Sequence, residues 1–209
     1  MTCRRPTYAL QLLFLILAAS FCGCAQRTGD KNYYVLEASR AGRTVRADNE
    51  VALEVRRFSI DPSFSDPTLV YRLDEFRYES DYYNEYLVLP ALMLTEKTRE
   101  WLARSGVAAH VLTPGSRIEP THTLETSVTA LYGDFRDQSN PTAVLEMRCF
   151  LLANEDPNET IAMARVYGAS RPVEDKTADA VISALNASLN EILTHLEEDL
   201  DATLAGTPQ

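Results

Sequence analysis

Histidine is scarce in this chain, three in 209 residues, and cationic side chains are outnumbered, 20 Lys and Arg against 30 Asp and Glu for a formal charge of −10. The first shortage leaves few of the side chains from which metal centres and acid–base pairs are most often built. The second removes the basic footprint that nucleic-acid binding requires, so no nucleic acid is expected as a partner, and it disfavours direct adhesion to anionic lipid head groups. Catalytic signatures are missing as well: no G-x-S-x-G, P-loop, G-x-G-x-x-G, H-E-x-x-H or C-x-x-C pattern occurs after the first 23 residues. His110 and His122 flank a loop without metal-ligand spacing, and His195 sits among acids on the polar side of a helical stretch. No metal and no cofactor are expected.

An apolar run long enough to cross a bilayer is also lacking. The strongest, from about Leu10 to Phe21, falls short of the roughly 20 residues that a spanning helix needs. It follows Arg4 and Arg5 and ends in small residues, the three parts of a secretory signal. Lipoprotein processing demands a small residue just before a cysteine whose thiol already carries a diacylglycerol. Cys24 has Gly23 before it, whereas Cys22 follows the bulky Phe21. Cys24 is therefore the expected lipidation site and residues 1–23 the signal peptide, with plain secretion and cleavage near Ala25 as the alternative. Several acyl chains on Cys24 give stable anchoring where one would not. Ala25 is not the aspartate that retains such proteins in the inner membrane, so an outer-membrane anchor is expected.

Cysteine is too sparse for a disulfide framework. With Cys3 and Cys22 discarded and Cys24 acylated, Cys149 has no partner, and alternation places it on one strand face with Leu145, Met147 and Leu151 as a buried thiol.

What is present is a domain of ordinary composition. Residues 24–32 are polar and read as a lipidated tether, 33–202 as the domain and 203–209 as a disordered tail. Period-two alternation marks strands from Tyr33, Val51, Thr68 and Val107, and three more consecutive ones between Thr121 and Gly168. In the first of those three, Leu124, Thr126, Val128, Ala130 and Tyr132 are expected on one face. Pro90 opens a helix that Ser105-Gly106 closes. A longer helix over about 176–199 places Val181, Leu185, Leu189, Ile192, Leu196 and Leu200 on one stripe and Asn186, Asn190, Glu197 and Glu198 towards water. The expected fold is α+β, a single domain with a mainly antiparallel sheet and two helices packed on one face. The segment from Arg77 to Tyr86 concentrates tyrosines; Tyr82, Tyr83 and Tyr86 are candidate partner-binding residues, since tyrosine combines a large apolar body with a polar tip.

The lipobox at Cys24, Tyr33-Tyr34-Val35-Leu36, Asp66-Pro67-Thr68-Leu69-Val70-Tyr71-Arg72, the aromatic stretch before Leu87-Val88-Leu89-Pro90, Leu124-Glu125-Thr126-Ser127-Val128 and the final helix follow one another in an order that resembles the ABC-type transport auxiliary lipoproteins. The chain departs from the family pattern with Phe64-Ser65-Asp66 before the proline-containing strand and with Tyr83-Asn84-Glu85-Tyr86 where many members carry a tryptophan. The resemblance implies a non-enzymatic component of the bacterial envelope. It would be anchored to the outer membrane by its lipid, face the periplasm and dock onto the periplasmic lipid-binding component of an intermembrane transport system; the tyrosine segment leaves a neighbouring copy of the chain, in a homo-oligomer, as an alternative contact. Two other classes stay open: an outer-membrane assembly or lipopolysaccharide-insertion lipoprotein, and a periplasmic hydrolase, which would need a Ser or Asp within reach of His110 or His122.

Overall fold

The computed structural model describes residues 30–42, 49–155 and 158–205. The signal peptide, Cys24, most of the tether and residues 206–209 lie outside the described residues. Strand β7 (His122–Asp134) is the spine of the sheet. On one side it pairs antiparallel with β8 (Thr142–Glu155), which pairs antiparallel in turn with β9 (Asn158–Pro172). Their short connections permit no other sense, because a parallel return needs a crossover of a dozen residues or more.

The other side of β7 is met, one after another along its length, by β2 (Ala52–Val55), β3 (Ser59–Ile60) and β4 (Thr68–Arg72), all parallel to it. These amount to one interrupted strand. A 3-10 turn at Pro62–Phe64 separates the last two pieces, capped by the Asp61 side chain, which accepts from Ser63 N–H at 2.8 Å. Beyond them, β5 (Tyr78–Tyr86) pairs antiparallel with β4 and parallel with β1 (Asn32–Tyr34), and β6 (His110–Leu112) pairs parallel with β2. The long pairings are antiparallel as expected, but the sheet as a whole is mixed. The parallel members arise because the chain returns to β7 only after crossing through helix α1 (Pro90–Ser105), a long-range event invisible to local alternation.

Helix α1 begins at Pro90, whose missing N–H is no loss in a first turn, and ends at Gly106, which takes φ of 85°. Helix α2 (Ala178–Ala205) runs past the expected end near residue 199 and buries Leu204. Its stripe of Val181, Leu185, Leu189, Ile192, Leu196 and Leu200 joins one core with Leu145, Met147, Cys149 and Leu151 of β8 and Met163, Tyr167 and Ala169 of β9. Helix α1 lies alongside, and its Trp101 indole N–H donates to Glu197 Oε2 at 2.7 Å.

Two local features depart from simple periodicity. Val128 pairs with Met147 and Ala130 with Glu146, so Thr129 is an extra residue in β7. That bulge shifts the parity of the strand: Leu131 turns inward and is buried, while Ala130 and Tyr132 leave the face of Leu124, Thr126 and Val128, contrary to the strict alternation expected. The polar side of α2 also has a use other than facing water. The extended segment after β1 lies across it, with Glu37 N–H donating to Asn186 Oδ1 at 2.9 Å and Ser39 N–H to Asn190 Oδ1 at 2.8 Å. Arg40 closes the strap with two bonds to the Glu197 carboxylate, at 2.8 and 2.7 Å.

Candidate docking interface

Strand β5 holds the densest run of tyrosines, and a second bulge decides which of them reach solvent. Val70 pairs with Ser80, yet Thr68 pairs with Glu85 rather than with the residue two further along. The extra residues are looped out around Asp81. Its Oδ1 accepts from the backbone N–H of Tyr83 at 2.8 Å and of Asn84 at 3.0 Å; its Oδ2 accepts from Tyr71 Oη at 2.9 Å and Asn84 Nδ2 at 2.8 Å. Burial works against the Asp81 carboxylate, but these four donors outweigh it and hold its pKa below the usual carboxylate value. Burial, seconded by the bond to Asp81, pushes the Tyr71 phenol far up, so it stays a neutral donor. Asn84 extends the network to β1, accepting from Asn32 Nδ2 at 3.0 Å.

Tyr82 and Tyr83 sit on the crest of this bulge, 65% and 48% exposed. Their rings meet edge to face with centroids 5.1 Å apart. The Lys31 ammonium lies 5.2 Å from the Tyr82 ring centroid and is paired with Glu85, so the crest is fixed from both sides. Tyr86 is different. Once the bulge has closed, its N–H donates to Pro67 O and its side chain is buried in the core at 4% exposure. As a partner-binding candidate it is corrected to a core residue; the parity change at Asp81 separates it from Tyr82.

A cavity of about 400 Å³ adjoins the bulge, lined by Tyr71, Asp81, Asn84, Phe135 and Lys176 among others. Asp81, with four donors on its two oxygens, is already committed there, and the Lys176 ammonium donates to Gln138 Oε1 at 3.2 Å. The histidines lie elsewhere: His110 is exposed on β6 and His122 buried on β7, with β2 between their strands. The His122 Nδ1 partner is Thr121 Oγ1 at 3.0 Å. Among the described residues no group of three His, Cys, Asp or Glu side chains is placed to hold a metal ion. Cys149 is fully buried beside Thr126 Oγ1, and burial raises its thiol to about 11.

The fold is thus a mixed sheet with two helices on one face and a tyrosine crest on β5. The chain belongs to the family of ABC-type transport auxiliary lipoprotein components, which it matches over residues 34–197. In fold it is similar to the crystal structure of protein XCC0632 from Xanthomonas campestris, at 19% identity and a TM-score of 0.69, covering 82% of this chain and 94% of that one. A second crystal structure, of an uncharacterized protein, is similar at 14% identity and a TM-score of 0.62, over 82% and 99% of the two chains. No curated protein matches the sequence.

Proposed function

We propose that this protein is a non-enzymatic outer-membrane lipoprotein, acylated at Cys24, that docks onto the periplasmic lipid-binding component of an ABC-type intermembrane phospholipid transport system. Family membership over 34–197 is the observation that carries this reading, since the family is that of auxiliary lipoprotein components of ABC-type transport. The structure lends support in two ways. Asp81, the carboxylate lining the cavity beside the bulge, is saturated with donors and held below the usual carboxylate pKa, the opposite of what a general base requires. Tyr82 and Tyr83 are held out from the sheet on a braced bulge, a rigid aromatic surface suited to protein contact. Both tyrosines are the proposed contact to the transport partner, or to another copy of the chain.

The experiment is a replacement of the native protein by Cys24→Ala in its own host. The reading expects labelled palmitate on the native chain in the outer-membrane fraction, no label on the variant, and slower phospholipid exchange between the two membranes with the variant. Unchanged exchange, accompanied by defective insertion of barrel proteins or lipopolysaccharide, would move the protein to the envelope-assembly class instead.

A further inference from the structure

Three consecutive apolar residues, Leu87, Val88 and Leu89, form the link between β5 and α1 and are 62%, 43% and 41% exposed. Val35, also 41% exposed, runs beside them, because the pairing of Tyr34 with Tyr86 continues past both strands: Leu87 N–H donates to Tyr34 O at 2.8 Å. Between this link and α1 lies a groove of about 240 Å³ whose floor is Val35, Val88, Leu92 and Met93. The charges at its rim are already committed. Lys97 is bonded to Glu37 at 2.8 Å and Glu96 to Arg99 at 2.5 Å. What the site offers an occupant is hydrocarbon contact.

We infer that this patch rests on the phospholipid bilayer to which the chain is tethered, with the groove receiving lipid acyl carbons. The inference rests on the proposed acylation of Cys24, though not on transport. Three arguments select a bilayer as the occupant. Seven residues lie between Cys24 and the start of β1 at Asn32, and those eight steps at ~3.3–3.6 Å each span less than about 30 Å, so an anchored domain stays within reach of the membrane surface. The four side chains expose roughly 300 Å², well under the ~800 Å² per partner of a stable protein complex, whereas a tethered domain needs only a small patch because the anchor supplies the effective concentration. Finally, the chain is acidic and the patch carries no uncommitted cation, so its adhesion comes from apolar burial and does not depend on anionic lipid.

The test uses the full-length acylated protein reconstituted into vesicles of phosphatidylcholine, and of phosphatidylcholine with phosphatidylglycerol. A polarity-sensitive fluorophore is attached through Val88→Cys and, as a control, through Gln138→Cys in the loop after β7; Cys149 is buried and stays unlabelled. Thermal melts establish that both variants fold. The expected result is a blue-shifted emission at position 88, several-fold more strongly quenched by spin-labelled lipid than emission at 138, equal in the two lipid mixtures and unaffected by salt. Flotation with the vesicles and an aqueous signal at 88 would overturn the inference while leaving the anchor standing. Failure to float, with no acyl mass on the Cys24 peptide, would overturn both. A blue shift at 88 that rises with protein concentration in the absence of vesicles would identify a second copy as the occupant and overturn it as well.

Discussion

Tyr82, Tyr83 and Tyr86 look alike in the sequence and have unlike fates, because four hydrogen bonds to one carboxylate change the parity of the strand between them. Truncating the crest should therefore be nearly neutral for folding: Tyr82→Ala and Tyr83→Ala are expected within about 0.5 kcal/mol of the native stability by denaturant titration. Tyr86→Ala removes a buried ring and should cost about 3 to 5 kcal/mol in the same measurement. Nothing local in Tyr83-Asn84-Glu85-Tyr86 announces this division. The available signal was Asp81 itself, an aspartate in strand-forming company whose side chain binds the backbone two and three residues on. Cys149 was legible, since the faces of β8 alternate without interruption from Ala143 to Leu151 and all five inward residues are fully buried. A thiol both shielded and raised to about 11 should resist labelling at neutral pH until the domain unfolds, which mass spectrometry of thiol-reagent adducts along a denaturant series would follow.

At the scale of elements, α2 shows how a correct helix can be read with the wrong surroundings. Its apolar stripe was plain from the spacing of its leucines, but Asn186, Asn190 and Glu197 also follow helical spacing, and that polar stripe holds the strap from Glu37 to Arg40. Periodicity separates polar from apolar positions; it does not tell water from another backbone as the polar partner. Glu197→Ala would leave the Arg40 guanidinium and the Trp101 indole without their shared acceptor, at a cost of about 1 to 3 kcal/mol in a thermal or chemical melt. The Arg40 bonds hold the Glu197 carboxyl below its usual pKa, ahead of the opposing effect of burial, and Asp81 is lowered too. For both groups the unfolded chain binds protons more readily. Their stabilisation is thus complete above the ordinary carboxylate range of about 4 and is lost as pH falls through the depressed folded values. Stability measured from pH 6 down to 3 should decline less steeply in Glu197→Gln than in the native chain.

The whole molecule was legible in class and not in topology. Strand and helix signals sufficed for one α+β domain, and the three consecutive strands from β7 to β9 followed from their short connections. The collinear set β2, β3 and β4 along the far edge of β7 did not, since its register depends on residues up to about 70 positions away, Leu53 against His122 for one. The resulting molecule has one face closed by helices, and on the strands farthest from β9 it carries the tyrosine crest and the apolar link on which the functional proposals turn. The central claim is that the tyrosine crest serves docking within a transport system. It is tested most directly by placing a photo-crosslinking amino acid at position 82 in the acylated protein in its native envelope, with position 117 as an exposed control, and identifying the adducts by mass spectrometry. The account predicts adducts from position 82, absent at 117, with the periplasmic lipid-binding component of an ABC-type transport system, and their loss when Tyr83→Ala removes the neighbouring ring. Adducts with barrel-assembly or lipopolysaccharide-insertion proteins in their place, or equal yields at both positions, would contradict it.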